Sequence, residues 1–352
     1  MWTISSPTST VHLADSTDLG GLVSLGWGDE WGEKLAASPF DGTPARVARH
    51  DGVKVMVSDG ESVLHATFPR SMQLAVGDWV QVKNETISGL LERTSQLERD
   101  SAESGPQIIA ANVDLVLVVF GADRPLKRNK VLRFVAFAWD IGARPVVVVS
   151  KIDLHEDSSQ LVSGIESWVG DVDVIETSIE DGVGMDKLFA LLSGRTGTLI
   201  GESGAGKSSI VNALMEDEVA WIGDVRERDA KGRHTTTHRE LHLLPGGGMI
   251  IDNPGIRSLG LSSEGEGVEQ LFSDIEELAI ACRFRDCAHR TEPGCAVLAA
   301  IETGDLASDR WNAYCRFIDE QTESSARAQS KQRLKNARKE AAAAQRARDR
   351  DM

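Results

Sequence analysis

The sequence predicts a multidomain protein: a small all-β barrel, then an α/β domain built on a mostly parallel sheet, then a short helical module organised around cysteines and a histidine. Three observations carry that expectation. Short alternating apolar runs broken by Asp-Gly and Gly-Asp turns fill residues 45–82; apolar strands alternate with helically spaced segments from residue 108 onward; and Cys282, Cys287, His289 and Cys295 fall close together. A chain of 352 residues has room for two or three domains.

A balance of 38 Lys and Arg against 54 Asp and Glu, net −16, with 41% hydrophobic residues, describes a soluble, folded, acidic protein and excludes disorder throughout. Apolar runs such as residues 115–120 and 146–149 fall far short of the roughly 20 residues that span a bilayer, so no membrane partner is expected. Residues 1–10 carry neither the basic nor the apolar stretch of a secretion signal. A reducing, cytoplasmic setting is therefore expected, in which four cysteines point to metal before disulfide. From residue 325 onward nine Lys or Arg stand against three acids. Such an arm allows one strongly electrostatic contact, whereas the acidic body disfavours non-specific nucleic-acid binding.

Taken in order, residues 1–42 are rich in Ser, Thr, Gly and Asp, with scattered Trp2, Trp27 and Trp31 and no sustained period, and predict a loosely ordered lead-in. Next, Val53, Val55, Val57, Val63, Val76, Trp79, Val80 and Val82, punctuated by Asp51-Gly52, Asp59-Gly60 and Gly77-Asp78, predict the barrel. An oligonucleotide-binding barrel and a purely structural β-module both fit this pattern. Strands are then expected at 113–120, 145–149, 172–176 and 197–200, alternating with helices at 130–141, 156–169 and 185–192. After residue 260 the pattern is helical again, and residues 326–350 read as an Ala-, Arg- and Lys-rich helix.

The strongest chemical signal is Gly201-Glu202-Ser203-Gly204-Ala205-Gly206-Lys207-Ser208, with Ser209 behind it, a full match to G-x-x-x-x-G-K-[ST] between a strand and a helix. Its glycines let successive N–H groups turn around phosphate oxygens at the positive end of the following helix. Lys207 is placed to reach the β- and γ-phosphates, and the Ser208 hydroxyl to ligate magnesium. Ser150-Lys151-Ile152-Asp153 follows directly on an apolar strand, where ligands of parallel sheets bind. There the Asp153 carboxylate accepts from both the ring N–H and the exocyclic amine of guanine, a pair of donors that adenine lacks. Thr177-Ser178, after the next strand, offers a backbone contact to the same base, chiefly from Ser178. Asp252-Asn253-Pro254-Gly255 ends another apolar strand, offering Asp252 as a water-mediated magnesium partner and the Gly255 N–H as a γ-phosphate sensor. Upstream, Gly232-Arg233-His234-Thr235-Thr236-Thr237 supplies threonine hydroxyls, Thr235 and Thr236, to complete the magnesium shell. These two segments read as switches.

Base-reading segments here precede the phosphate loop, whereas GTPases usually run in the opposite order, so the domain reads as circularly permuted. The second strong cluster, Cys282-x4-Cys287-x-His289-x5-Cys295, offers three thiolates and one imidazole for a closed, structural zinc site. Four good ligands argue against a catalytic zinc, and Cys315 stands apart as a buried, inert thiol.

With these residues in view, the chain resembles one family: the circularly permuted, ribosome small-subunit-dependent GTPase A proteins (RsgA/YjeQ). The resemblance rests on Ala111-Asn112-Val113-Asp114, SKID at 150–153, GESGAGKSS from Gly201, GRHTTTHRELHLLPGGG from Gly232, DNPG from Asp252 and CRFRDCAHRTEPGCAV from Cys282, and covers roughly residue 43 to the tail. It implies an oligonucleotide-binding barrel, a permuted GTPase domain, a zinc domain, ribosomal RNA as partner, and a role in late maturation of the small ribosomal subunit. The chain departs from the family pattern in three places: Ser150 stands where Asn is usual, Asn253 where Thr is commoner, and residues before 43 lie outside the match. Ile256 stands where many GTPases carry a water-orienting glutamine, which leaves His234 as the internal candidate for that task.

The expected organisation is thus a lead-in at 1–42, an OB-like β-barrel at 43–100, a circularly permuted α/β P-loop GTPase domain at 101–262, an α-helical zinc-binding domain at 263–325 and a basic helical tail at 326–352. The expected activity is hydrolysis of GTP to GDP and phosphate by a monomer that binds the small (30S) ribosomal subunit, with Mg2+ and one structural Zn2+. An ATPase or kinase is opposed by Asp153; a zinc-containing RNA-binding module that merely senses nucleotide predicts no hydrolysis.

Overall fold

The computed structural model describes residues 20–101, 105–155, 157–215, 239–252, 266–320 and 322–323. It divides into two compact units, one of residues 1–126 and 133–271, the other of residues 127–132 and 272–352.

The first unit opens with two short helices, α1 (Gly20–Val23) and α2 (Asp29–Ala37). This corrects the expectation of a loose lead-in for residues 20–42. Leu22, Leu25, Trp27 and Trp31 are buried, and Trp27 meets Trp79 edge-on at 4.8 Å between ring centroids. The contact is tertiary, which is why it left no periodic trace in the sequence.

The barrel follows: β1 (Thr43–His50), β2 (Lys54–Ser58), β3 (Val63–Thr67), β4 (Trp79–Lys83) and β5 (Thr86–Leu90). It closes in the order β1-β2-β3-β5-β4-β1, with β3 and β5 parallel and the other neighbours antiparallel. Its core is small and apolar: Ala45, Val47, Val55, Val57, Val80 and Ile87 are almost completely inaccessible. This five-stranded closure removes exposed strand edges, as in oligonucleotide-binding folds. A two-stranded ribbon, β6 (Gln96–Ser101) and β7 (Gly105–Ala111), leads out of it.

The α/β part comprises β8 (Leu115–Gly121), α3 (Arg128–Asp140), β9 (Arg144–Ser150), α4 (Ser158–Val169), β10 (Val174–Thr177), α5 (Met185–Leu192), β11 (Thr196–Gly201), α6 (Lys207–Met215), β12 (Glu240–Leu243) and β13 (Met249–Asp252). The division between units passes through α3. The sheet runs β10-β9-β8-β11-β13-β12, parallel throughout except for β12. Strands β8, β9 and β11 are buried along nearly their whole length, which explains the continuous apolar runs of β8 and β9. At β11 the chain changes its direction of travel across the sheet, a point where the carboxyl ends of strands part and ligands bind. The barrel is joined edge-on, because Arg49 of β1 pairs with Glu240 of β12.

The second unit contains α8 (Ser273–Ile280), α9 (Ala296–Thr303) and a helix over residues 308–320, whereas α7 (Glu266–Leu271) closes the first. Phe272, Ile275, Val297 and Phe317 form its small core. Arg310, also buried, holds Asp274 through two hydrogen bonds of 3.1 and 2.8 Å and lies 4.6 Å over the Phe272 ring. Cys315 is half-buried rather than enclosed as expected; burial, with Asp319 nearby, pushes its thiol pKa up, which keeps it unreactive. Among the described residues no helix is long and apolar enough to cross a membrane. The basic tail at 326–352 and residues 1–19 lie outside the described residues.

Candidate active site and metal centre

The phosphate loop bridges the end of β11 and the start of α6. Its shape depends on glycine: Gly201 has φ +140°, and a Cβ there would come 2.1 Å from the Val119 carbonyl of the adjoining strand. Lys207 begins α6 and bends back, its Nζ donating to the carbonyls of Gly201 at 2.9 Å and Glu202 at 2.6 Å. Ser208 and Ser209 are exposed in the first helical turn, beside N–H groups that have no intrahelical partner. A cationic side chain, the N–H groups of the first helical turn and exposed hydroxyls make this the anion-binding end of α6.

Three further strand ends converge on it. Ser150, at the end of β9, is buried, and its Oγ lies 2.5 Å from the Ala205 carbonyl and 3.2 Å from that of Phe120. It therefore still ties the base-reading segment to the phosphate loop, although shorter than asparagine. Lys151 takes a left-handed backbone, φ +61°, which turns its Nζ onto the Gly204 carbonyl at 2.8 Å. Ile152 and Asp153 lie in a 3-10 turn, Ile152–Leu154, with Asp153 exposed. Ser178, after β10, is buried; its N–H donates to the Val183 carbonyl at 3.1 Å and its Oγ caps the Asp181 N–H at 3.2 Å. Beside it the buried Thr177 Oγ1 has no hydrogen-bond partner among the described residues.

Asp252 ends β13, on the other side of β11. Burial raises its carboxyl pKa, and the neighbours are His242, which opposes the rise, and Glu240, which adds to it. Glu240 pairs directly with Asp252 across β12 and β13. His242 is buried and held below its ordinary pKa by that burial. The candidate switch residues His234, Thr235, Thr236 and Gly255 lie outside the described residues.

Sequence reasoning missed Asp123 and Arg124, which follow β8. Asp123 binds Lys151 at 2.9 Å and Arg124 at 3.0 Å, and Arg124 reaches the Ser203 carbonyl at 3.2 Å. The signal that singled out Ser150, a polar segment at the carboxyl end of a buried parallel strand, applies equally to Ala122-Asp123-Arg124. That segment carries no motif of its own.

In the second unit the ligand atoms of Cys282, Cys287, His289 and Cys295 all lie within 4.8 Å of one another. Cys282 Sγ is 3.5 Å from His289 Nδ1 and 3.9 Å from Cys295 Sγ, and His289 Nδ1 is 3.3 Å from Cys295 Sγ. A tetrahedral zinc with Zn–S of about 2.3 Å and Zn–N of about 2.0 Å demands S···S near ~3.8 Å and S···N near ~3.5 Å. The donor set therefore fits zinc in number and type, and the separations among Cys282, His289 and Cys295 fit its spacing. Backbone N–H groups fix the sulfurs: Ala296 donates to Cys282 at 3.3 Å and Leu298 to Cys295 at 3.4 Å, with Cys295 capping α9. The His289 ring packs edge-on against Trp311 at 5.8 Å.

Comparison with known proteins agrees with this arrangement. The RsgA GTPase family matches residues 90–262. A protein of Streptomyces coelicolor named small ribosomal subunit biogenesis GTPase RsgA is 42% identical over 315 residues, covering 85% of this chain and 86% of its own. A protein of the same name from Methanosarcina acetivorans is 38% identical over 312 residues, covering 84% of each chain. Among solved structures, YjeQ from Thermotoga maritima superposes with a TM-score of 0.60 at 27% identity over 79% of this chain and 98% of its own. YloQ, described as a circularly permuted GTPase, gives 0.61 at 26% identity over 81% and 96%.

Proposed function

The chain belongs to the RsgA family of GTPases, and from that premise we propose how its residues divide the work. It is a GTP hydrolase acting in maturation of the small ribosomal subunit. The observation that carries the assignment of residues is the convergence of Lys207, Ser150 to Asp153, Ser178 and Asp252 on the carboxyl ends of neighbouring parallel strands.

In this reading the N–H groups of residues 201–209 and the Lys207 ammonium hold the β- and γ-phosphates. Lys207 leaves the Gly201 and Glu202 carbonyls for phosphate oxygens when GTP enters. Asp153 selects guanine, the backbone at Ser178 and the stem of Lys151 flank the base, and Ser150 steadies the pocket. Ser208, Asp252 and a hydroxyl of Thr235 or Thr236 hold magnesium, directly or through water. When bound there, the metal would supply positive charge to offset that of the phosphates. Gly255 reports the γ-phosphate to the second switch.

Hydrolysis adds water to the γ-phosphorus while the bond to the β–γ bridging oxygen breaks and GDP departs with that electron pair. Such a reaction needs mainly positioning and electrostatic stabilisation. Because position 256 is Ile, His234 is the residue we assign to orienting the water, with docking on the subunit rearranging the switches. The barrel, the zinc module and the basic arm contact ribosomal RNA chiefly through phosphates, and the protein works as a cytoplasmic monomer. The four-ligand centre at Cys282 to Cys295 holds one structural zinc.

Phosphate release from GTP and from ATP, with small or large ribosomal subunits, tests this reading. Stimulation restricted to GTP with small subunits is expected; binding to subunits without any stimulated release would replace the enzyme by a nucleotide-sensing RNA-binding protein. In the same assay His234→Ala should lose most of the stimulated rate while retaining its affinity for nucleotide.

A further inference from the structure

We propose that Asp123 and Arg124 are positioning residues for nucleotide binding, a brace that holds the phosphate loop from its outer side. The inference rests on residues 201–208 being the phosphate loop, and it concerns residues outside any nucleotide-binding motif in the chain.

The brace is built at the end of β8, the strand next to β11. Asp123 uses both carboxylate oxygens. Oδ1 accepts from Arg124 Nε at 3.0 Å, and Oδ2 accepts from Arg124 Nη2 at 3.0 Å and from Lys151 Nζ at 2.9 Å. The two cations pass through this carboxylate to the loop: Arg124 Nη1 donates to the Ser203 carbonyl at 3.2 Å, Arg124 Nη2 reaches the Gly204 carbonyl at 3.4 Å, and Lys151 Nζ donates to the same carbonyl at 2.8 Å. The hydrogen bonds from Arg124, then from Lys151, hold the Asp123 carboxyl far below the usual carboxylate range, so the charge persists at any working pH. Gly121 makes room for it, since a Cβ there would stand 2.4 Å from Asp123 Oδ1.

The geometry has a direct consequence for phosphate. A trans peptide points its N–H away from its C=O. Gripping the Ser203 carbonyl from outside therefore directs the Gly204 N–H to the opposite, ligand-facing side. The next N–H, that of Ala205, makes a long 3.3 Å bond to the Glu202 carbonyl, which a phosphate oxygen can displace. Without Asp123, Lys151 and Arg124 would repel each other at one carbonyl, and the loop would have to be ordered by the nucleotide itself. Preorganisation of this kind lowers the dissociation constant without touching the transferred phosphoryl group.

Arg124 has 37% of its side chain exposed, so its removal opens no cavity. The test uses the full chain, a fluorescent GDP analogue and GTP turnover with small subunits. Arg124→Ala is expected to raise the dissociation constants of GDP and GTP about tenfold, the size of effect known for charge-assisted hydrogen bonds. Turnover at saturating GTP should move by less than about threefold, since uniform binding is what is lost. Arg124→Lys should recover part of the affinity. Asp123→Asn should weaken binding more, and adding Arg124→Ala to it should weaken binding little further, because the two act as one unit. The melting temperature without nucleotide should stay unchanged in Arg124→Ala. Unchanged affinity in Arg124→Ala, while the parent chain binds normally, would overturn the brace alone. A loss in saturated turnover equal to the loss in kcat/KM would overturn it in favour of a catalytic arginine. Absence of guanine-nucleotide binding by the parent chain would remove the phosphate-loop reading, and the brace with it.

Discussion

Two side chains show how much single atoms decide. Ser150 is the register neighbour of Thr177 on β10, and its one hydroxyl proton is engaged with the Ala205 carbonyl. The buried Thr177 hydroxyl is left without a partner among the described residues, a burial that is unfavourable. An asparagine amide at 150 has both a donor and an acceptor to share between the phosphate loop and Thr177. Ser150→Asn is therefore expected to tighten guanine nucleotide binding, by about three- to tenfold in a calorimetric GDP titration. Thr177→Val in that background should abolish the gain. His50 illustrates charge. Burial, and then the positive field of Arg239, lower its pKa from the ordinary 6.5, and its neutral Nδ1 accepts the Gly52 N–H at 3.1 Å. Below pH 6.5 the unfolded chain takes up a proton that the folded one refuses, so stability is complete above that pH and declines as pH falls toward the lower, folded value. His242, also held neutral by burial, adds in the same direction. Denaturant midpoints should thus fall between about pH 7.5 and 5.5, and His50→Gln should flatten the slope.

At the scale of elements, the zinc centre makes the sharpest demand. Between Cys282 and Cys295 the only buried residue is Cys295 itself, so the loop has no apolar core to hold it and depends on ligation. Phe272, Ile275 and Phe317, by contrast, bury a core of their own beside it. Chelation should therefore release about one zinc per chain and change the near-ultraviolet signal of Trp311, which packs on His289, while far-ultraviolet helix content changes little. Cys287→Ala should reproduce that change without chelator. The same contrast explains what was legible beforehand. Strands β8 and β9 announce themselves because both faces are buried and their apolar runs are unbroken, and α5 falls on the residues its spacing predicts. The strand–turn–helix around Gly201 to Ser208 and the gathering of Cys282, Cys287, His289 and Cys295 were legible because chemistry fixes residue type and spacing there. Helices α1 and α2 were not, since Trp27 and Trp31 are placed by Trp79, some fifty residues away, and not by any local period. Ribbon β6–β7 escaped because Gln96–Ser101 alternates no apolar face. Asp123 and Arg124 escaped because their partners are backbone carbonyls far along the chain, which no side-chain pattern records.

In the larger first unit the barrel and the nucleotide-binding sheet are joined by more than a linker. Arg46 of β1 is buried between them and donates to the carbonyls of Leu25 at 2.5 Å, Gly77 at 3.2 Å and Asn112 at 3.0 Å, and to Met249 Sδ at 3.2 Å. Its guanidinium lies 5.1 Å over Trp79, and burial brings its pKa down to about 10, partly offset by Asp114 and Asp78, so it remains charged. One side chain thereby ties the lead-in helices, the barrel, the Asn112 turn and β13, the strand that ends at Asp252. Methionine at 46 would fill much of the volume but take the guanidinium from the Leu25 and Asn112 carbonyls, while the Gly77 carbonyl keeps the Asn112 amide, a loss of about 3 kcal/mol. A shared buried hub also makes the two parts unfold together. Calorimetry of the parent chain should give one transition for barrel and nucleotide-binding sheet, shifted upward as a whole by GDP through mass action. In Arg46→Met that transition should fall in temperature and separate into two, of which GDP raises only the one belonging to the sheet. Two separate transitions already present in the parent would show that Arg46 does not couple the two parts, and a GDP shift reaching both parts of the variant would show that the barrel communicates with the nucleotide by some other route.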